Sequence, residues 1–134
     1  MAITQLSIFL ENKPGTLIET VTRVSEADIS IRAMTIAEVR DFGILRIIVS
    51  DTEKAKAVLQ DDHIITTTEV VSAVMDDKAG ALYTILQALE AANVNIEYMY
   101  AFTGEKTGSA NVVFRVDDIE GAEAKLREAG VEVL

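Results

Sequence analysis

Two short loops carry the residue types that bind small charged molecules. The first reads NKPG at residues 12–15 and the second DKAG at residues 77–80, and each precedes apolar residues at helical spacing. A helix start presents backbone N–H groups without partners and the positive end of the helix dipole, which suit a carboxylate. A glycine there lets the backbone approach a ligand closely, since it has no Cβ. The loops therefore predict two anion-binding turns.

The polar side chains near these turns complement the ends of a zwitterion. A carboxylate at Asp77 suits an α-ammonium group, and the amide of Asn95 can both donate and accept a hydrogen bond. Each charge-assisted bond contributes about 1.5–3 kcal/mol, so two or three predict micromolar to millimolar affinity. A structural interpretation stays open, because Asn12 and Asp77 are types that cap helices or hold turns and the glycines serve turn geometry.

Catalytic and metal-binding patterns are missing from the sequence. It contains no cysteine and a single histidine, His63, and it has no phosphate-binding loop of the Gly-x-x-x-x-Gly-Lys type. Asp61 and Asp62 precede the histidine, but adjacent residues rarely converge on one ion, and we prefer to interpret the three as a solvated helix end. We therefore predict no catalytic residues, no metal site, no cofactor and no enzyme activity.

Charge and hydropathy exclude several classes of partner. The net charge is −10, from 22 acidic and 12 basic residues, and the phosphates of nucleic acids and anionic membranes repel such a chain. The densest apolar run, residues 44–49, is too short to span a bilayer, and the first residues lack a signal-peptide pattern. We expect a cytoplasmic protein that binds neither nucleic acid nor membrane.

The elements that must position the two loops occur twice. A shift of 65 places aligns the sequence with itself without a gap from residue 5 to residue 49. Identical residues coincide at several positions: Ser7 with Ser72, Lys13 with Lys78, Gly15 with Gly80, Leu17 with Leu82, Ala27 with Ala92, Ile31 with Ile96, Met34 with Met99 and Gly43 with Gly108. The duplication predicts two domains, 1–69 and 70–134.

Each copy is predicted to fold as β-α-β-β-α-β from its hydrophobic periodicity. The first copy has a helix from about residue 17, a helix over 53–60, and strands over 4–11, 29–39, 44–50 and 64–69. The second has a helix after the turn at 77–80, a helix over 119–129, and strands over 70–75, 94–103, 109–116 and 131–134. The fold class is α+β, with two tandem ferredoxin-like units whose antiparallel sheets carry helices on one face.

Finer details follow from the same patterns. Thr16 with Glu19 three residues on predicts a capping box at the first helix. The third strand of each copy, 44–50 and 109–116, is apolar on both faces, which predicts the centre of a sheet.

The repeated turns resemble those of ACT domains, which are regulatory modules that bind amino acids. The family pattern places an Asn or Asp three residues before a Gly at the first strand-to-helix turn, as at residues 12–15 and 77–80. A Val-Asn-Ile-like step that opens the second strand completes the pattern, as at residues 94–96. The first copy departs from it, because Ser30 stands where the second copy has Asn95. The resemblance covers nearly the whole chain as two modules.

The resemblance implies a ligand site shared by neighbouring modules. One module offers its first turn and helix start, and another offers the start of its second strand. Carried onto this sequence, the implied ligand-binding residues are Asn12, Gly15, Thr16, Leu17, Ser30, Asp77, Gly80, Ala81, Leu82 and Asn95. Ser30 departs from the Asn of the second copy, Asp77 replaces Asn as the family tolerates, and Ala79 replaces the frequent Pro. We therefore expect the two sites to be inequivalent.

The resemblance also implies a function and partners. We expect a non-catalytic regulatory protein that binds a free amino acid and signals through a homodimer or a partner such as a metabolic enzyme. The alternative is a structural or regulatory subunit without a ligand, which binds a metabolic enzyme through its sheet face. A small enzyme on this scaffold is a third possibility, since a fold by itself never excludes chemistry.

Overall fold

The computed structural model describes residues 3–134, which fold as two compact units, Thr4–Thr68 and one that contains Glu69–Leu134. The first five elements are β1 (Ile3–Glu11), α1 (Thr16–Glu26), β2 (Ile31–Val39), β3 (Phe42–Val49) and α2 (Thr52–Leu59). The next five are β4 (Ile64–Asp76), α3 (Ala81–Ala91), β5 (Ile96–Thr103), β6 (Ser109–Val116) and α4 (Ile119–Glu128). This order confirms the predicted α+β class with a repeated ferredoxin-like pattern.

The third strand of each copy lies at the centre of its antiparallel sheet, as predicted. β3 pairs with β1, where Leu6 lies opposite Ile47, and with β2, where Val39 lies opposite Phe42. β6 lies in the same way between β4 and β5. A strand with neighbours on both sides satisfies both of its hydrogen-bonding edges, which suits the apolar sequence of these two strands.

Each unit has its own hydrophobic core on one face of its sheet. The buried set of the first unit is Leu6, Ile8, Leu10, Val24, Ile29, Leu45, Ile47, Val49, Ala55 and Leu59. The buried set of the second unit is Val71, Ala73, Ile85, Leu89, Val94, Val112, Phe114, Val116, Ala122 and Leu126. In each set alternate strand residues meet residues from both helices, so both helices of a unit cover the same sheet face.

The strand in the middle of the chain corrects one prediction. The sequence predicts separate strands over 64–69 and 70–75, whereas Ile64–Asp76 is a single strand of 13 residues. The segment contains no glycine, proline or asparagine to start a turn, and its threonines and valines favour extended backbone. The backbone therefore stays extended from one unit into the next.

The predicted final strand, 131–134, is shorter than expected. It forms an isolated antiparallel bridge between Ala73 and Val133. The amide of Val74 donates to Glu132 O at 2.8 Å, and the amide of Leu134 donates to Ser72 O at 2.8 Å. The segment therefore pairs with β4, but a single bridge is too short to form a strand.

Leu59 and Leu126 test whether each core stabilises its unit. The two leucines are equivalent in the repeat and both are fully buried. Leu59→Ala and Leu126→Ala should each lower the free energy of unfolding by about 2–5 kcal/mol, because each leaves a cavity. Denaturant titration monitored by circular dichroism measures the loss. Ile64→Ala is the control, since Ile64 is 70% exposed, and an equal loss in this control would contradict the assignment of the cores.

Candidate functional site

The turn before α1 begins the helix with a glycine. Gly15 is the N-cap, with a left-handed φ of 94°, and no side chain caps the helix. The predicted capping box is therefore wrong. Thr16 is already the first helical residue, and its hydroxyl oxygen lies 2.8 Å from Glu11 O and 3.0 Å from Lys13 O. The hydroxyl thus holds the loop instead of accepting from the helix.

The turn before α3 has the same geometry. Gly80 is the N-cap, with a left-handed φ of 89°, and again no side chain caps the helix. The first hydrogen bonds into the two helices run from Glu19 N–H to Gly15 O at 3.1 Å and from Thr84 N–H to Gly80 O at 3.2 Å. In α3 the amide of Ala81 donates to Lys78 O at 3.3 Å, outside the helix. The following amides of each first turn have no partner inside their own helix and can bind an anion.

The two glycines are needed for backbone geometry. A Cβ placed on Gly15 or Gly80 would meet no atom within 4 Å, so space inside the chain does not require a glycine. Their left-handed φ does, because other residues rarely adopt it. The close approach of a ligand to these positions stays a prediction.

Asn12 and Asp77 join each turn to the neighbouring hairpin. The amide of Asn12 donates to Asp41 O at 2.8 Å, and its side-chain Nδ2 donates to Arg40 O at 3.4 Å. The amide of Asp77 donates to Gly108 O at 2.8 Å. Neither side chain caps a helix. These contacts support a turn-holding role for Asn12, and they leave the carboxylate of Asp77 available for the ligand role in our proposal.

The starts of β2 and β5 are positioned by matching helix ends. Asp28 and Asn93, at equivalent positions after α1 and α3, have left-handed φ values of 59° and 56°. The following amides close the helices, from Ile29 to Val24 O at 3.2 Å and from Val94 to Leu89 O at 3.1 Å. The next residues are Ser30 and Asn95.

Ser30 and Asn95 bond to the end of the central strand of their own sheets. Ser30 N–H donates to Ser50 Oγ at 3.0 Å, and Ser50 N–H donates to Ser30 O at 3.0 Å. Asn95 N–H donates to Asp117 Oδ1 at 3.0 Å, and Asp117 N–H donates to Asn95 O at 3.3 Å. The second unit therefore has a carboxylate where the first has a hydroxyl.

Within one unit the first turn and the start of the second strand lie at opposite ends of the sheet. Phe42 lies opposite Glu11, beside the first turn, whereas Val49 lies opposite Ile31. Val49 is seven residues along β3 from Phe42, which corresponds to about 23 Å. The structure thus groups the predicted residues of each first turn but does not bring Ser30 or Asn95 to the turn of the same unit.

A cavity lies beside each helix start. The first has a volume of about 350 Å³ and is lined by Phe9, Leu10, Glu11, Lys13, Thr16, Glu19, Phe42, Asp62, His63 and Ile64. The second, of about 370 Å³, is lined by Val74, Met75, Asp76, Lys78, Ala81, Thr84, Ile85, Ala129, Gly130, Val131 and Glu132. Of the predicted site residues, Thr16 and Ala81 are in these walls. The volumes lie at the lower end of the range for small-molecule pockets.

Leu17 and Leu82 have different surroundings despite their equivalent positions. Leu17 packs against the core of the first unit, whereas the Leu82 side chain is 37% exposed. Sequence reasoning missed Phe9, Phe42 and Asp62 as cavity residues. Phe42 had a signal, because a hairpin centred on residues 40–41 places it beside the first turn, but Asp62 enters the wall only through tertiary packing.

His63 is part of a hydrogen-bonded cluster, which corrects its interpretation as a solvated helix end. Its side chain is 9% exposed. Nδ1 lies 3.1 Å from Leu59 O and 2.9 Å from Asp62 Oδ1, and Nε2 lies 3.1 Å from the Thr20 hydroxyl. The histidine therefore connects the loop after α2 to the middle of α1.

Asp62 is held in its charged form by its neighbours. Partial burial works against the charge, but hydrogen bonds from His63 and Arg23 and favourable electrostatic interactions with these residues outweigh it, so the pKa of Asp62 lies below its ordinary value. Arg23 also lies 3.7 Å from Glu19 one turn earlier on α1. The first cavity is thus bordered by fixed charges of both signs.

Two further observations concern metals and membranes. Residues 3–134 contain no group of three or more His, Asp or Glu side chains placed to hold a metal ion. No helix in this described part of the chain has the length and apolar character that crossing a membrane requires.

The chain belongs to the ACT domain pair family, whose model matches residues 1–132. It is similar to the crystal structure of protein BT0572 from Bacteroides thetaiotaomicron, with 42% sequence identity and a TM-score of 0.93 over 100% of this chain and 92% of that chain. The family membership confirms the resemblance to ACT domains. No curated protein sequence matches the chain significantly.

More distant structures share the fold. The regulatory subunit of aspartate kinase from Thermus thermophilus, in its ligand-free form, is 15% identical, with a TM-score of 0.70 over 94% of this chain and 91% of that chain. E. coli aspartokinase III in complex with aspartate and ADP is 18% identical, with a TM-score of 0.61 over 96% of this chain and 31% of that chain.

The low pKa of Asp62 predicts how acid affects stability. A carboxyl whose pKa is lower in the folded chain than in the unfolded chain contributes stability at neutral pH and loses it as the pH falls through the folded value. Asp62→Asn should therefore lower the melting temperature at pH 7, and the difference from wild type should vanish well below about pH 4, where an aspartate is ordinarily protonated. Thermal unfolding at pH 7 and pH 2.5 measures this. A difference that persists at pH 2.5 would show that the charge is not its cause.

Proposed function

We propose that this chain is a non-catalytic regulatory protein that binds a free amino acid at the first turns of its ACT modules. The observation that carries the proposal is the pair of helix starts at Gly15 and Gly80, each without a side-chain cap and each beside a cavity of about 350–370 Å³. First-turn amides that have no partner inside their helix, together with the helix dipole, complement an α-carboxylate. The cavities offer room for the remainder of a small zwitterion.

The half of the site at the start of the second strand must come from a second module. Within a unit Ser30 and Asn95 lie about 23 Å along the sheet from their own first turns, so one unit cannot supply both halves of a site. We propose that a second copy of the chain completes the site in a homodimer. The ligand then contacts the first turn of one copy and the start of a second strand of the other.

The two kinds of first turn differ in charge. Asp77 offers a carboxylate to an ammonium group, whereas Asn12 offers an amide oxygen while its Nδ2 donates to Arg40 O. A charge-assisted bond is stronger than a neutral one. The two turns therefore bind ligand with different affinities, and Asn95 with its neighbour Asp117 supplies negative charge at the other half-site.

The output of such a protein passes to another chain, and we propose a metabolic enzyme as the partner. A similar structure is a regulatory subunit of aspartate kinase, which supports a chain of this size acting on a separate enzyme. Phe9 and Phe42, 39% and 56% exposed, lie on the sheet face opposite the helices and offer apolar area for docking.

Calorimetry against the twenty amino acids tests the ligand. We expect at least one to bind with micromolar to millimolar affinity, and Asp77→Asn to weaken binding about 10- to 150-fold by removing one charge-assisted bond of about 1.5–3 kcal/mol. Glu53→Gln, which removes an equal charge from the exposed face of α2, is the control and should bind normally. A folded protein that binds none of the twenty would overturn the proposal.

Light scattering coupled to size-exclusion chromatography tests the assembly. The measured mass of a homodimer should be twice the chain mass of 14.6 kDa. The bound amino acid should increase the dimer fraction in dilute samples, because a ligand that contacts both copies stabilises their association. A monomer that binds the ligand with unchanged affinity at every concentration would be inconsistent with a site completed by a second copy.

A further inference from the structure

The two cavities differ most in one wall. Asp62 and His63 line the first cavity, and the equivalent residues of the second copy, Ala129 and Gly130, line the second. On the facing helix Thr20 is replaced by Ile85, which is also buried. The duplicated fold therefore presents the same cavity twice, and only the first cavity has a chain of hydrogen-bonded side chains across it.

This chain of hydrogen bonds runs from the loop after α2 to the start of α1. His63 Nδ1 contacts Leu59 O and Asp62, and Nε2 contacts the Thr20 hydroxyl at 3.1 Å. The Thr20 hydroxyl in turn donates to Thr16 O at 3.0 Å. Thr16 is the first residue of α1 and lines the cavity. The histidine thus fixes the helix start whose amides face the proposed ligand.

The hydrogens available show that His63 can contact Thr20 in either charge state, whereas the further bond from the Thr20 hydroxyl to Thr16 O depends on the charge of the ring. Leu59 O and the Asp62 carboxylate only accept, so Nδ1 carries a hydrogen. The Thr20 hydroxyl has one hydrogen. When the Thr20 hydroxyl donates this hydrogen to Thr16 O, it can only accept from the ring. Nε2 must then donate as Nδ1 does, and the ring is an imidazolium. When the ring is neutral, Thr20 donates to Nε2 and releases Thr16 O. Only the imidazolium satisfies all four contacts at once.

The charged side chains around His63 are three carboxylates and two cations. Asp62 lies beside the ring, and Arg23 of α1 pairs with Asp62. Glu19 of α1 lies one turn away, at 3.7 Å from Arg23. Across the cavity, Glu11 and Lys13 form their own ion pair at 2.8 Å. An imidazolium adds one positive charge to this cavity, which favours a carboxylate at the helix start.

We propose that His63 is a positioning residue that couples the ligand site of the first unit to pH. Through Thr20 it holds the start of α1 against the loop after α2, and its protonated form strengthens binding of the ligand carboxylate. The inference rests on the proposed binding of an amino acid at the first turns. The second unit, which has Gly130 in place of the histidine, binds without this pH dependence.

The imidazole NMR signals of the protein can be assigned directly to His63, because it is the only histidine in the sequence. Calorimetry at pH 5.5 and pH 8 uses whichever amino acid gives the largest heat in the panel of twenty. We expect at least fivefold tighter binding to the first site at pH 5.5, the lower end of typical couplings between sites. At a fixed pH of 6.5, NMR of the imidazole should show that ligand binding increases the protonated fraction. This measurement needs no variant.

The variants His63→Gln and Thr20→Val should weaken binding to the first site and remove its pH dependence. Thr22→Val is the matched control. It deletes an equivalent hydroxyl bond on the same helix, from Thr22 to Ile18 O at 2.6 Å, at an exposed position outside the cavity. This variant should keep both the affinity and the pH dependence of wild type. Circular dichroism establishes that each variant is folded.

Each outcome decides between the two proposals. Binding that is equal at both pH values, with imidazole signals unchanged by ligand, would overturn the role of His63 and leave amino-acid binding intact. The same conclusion would follow if Thr22→Val weakened binding as much as Thr20→Val. A wild-type protein that binds none of the twenty amino acids would overturn the proposed function, and the role of His63 with it.

Discussion

A left-handed glycine at the start of a helix is the constraint from which the candidate sites follow. Gly15 and Gly80 turn the chain into α1 and α3 without a side-chain cap. A capping serine or aspartate would satisfy a first-turn amide and reduce its affinity for an anion. A glycine has no side chain to accept from these amides, so neither helix start carries a side-chain cap. The stability lost at each helix start is offset by the buried core beneath it, so the scaffold tolerates an open site.

The length of the sheet separates the two halves of the proposed ligand site within one unit. In a β-α-β-β unit the first turn and the start of the second strand lie at opposite ends of the sheet, because the helix between them returns the chain along the strand direction. A small zwitterion cannot bridge about 23 Å. Under the proposed function, ligand binding is therefore linked to the association of modules, and such a linkage would let a metabolite control an assembly.

Duplication has left the two modules alike in backbone and different in chemistry. Asp28 and Asn93 end their helices with the same left-handed geometry, and the glycine turns agree within a few degrees. The walls of the cavities diverge instead, with His63 and Asp62 in one unit and Gly130 and Ala129 in the other. Backbone geometry is shared because both cores depend on it, whereas residues 62–63 and 129–130 belong to neither buried core set and are free to change.

The sequence by itself determined the features that depend on local physics. Periodicity located β6 at residues 109–116 without error, the repeat predicted two similar units, and the glycine spacing located both turns. Tertiary structure alone decided the remainder. Thr16 bonds to the loop instead of capping α1, residues 64–76 form one strand, and His63 meets Thr20 across 43 residues of sequence. Periodicity reflects neighbours three or four residues apart, but a hydroxyl or imidazole bonds to whatever the folded chain brings within about 3 Å.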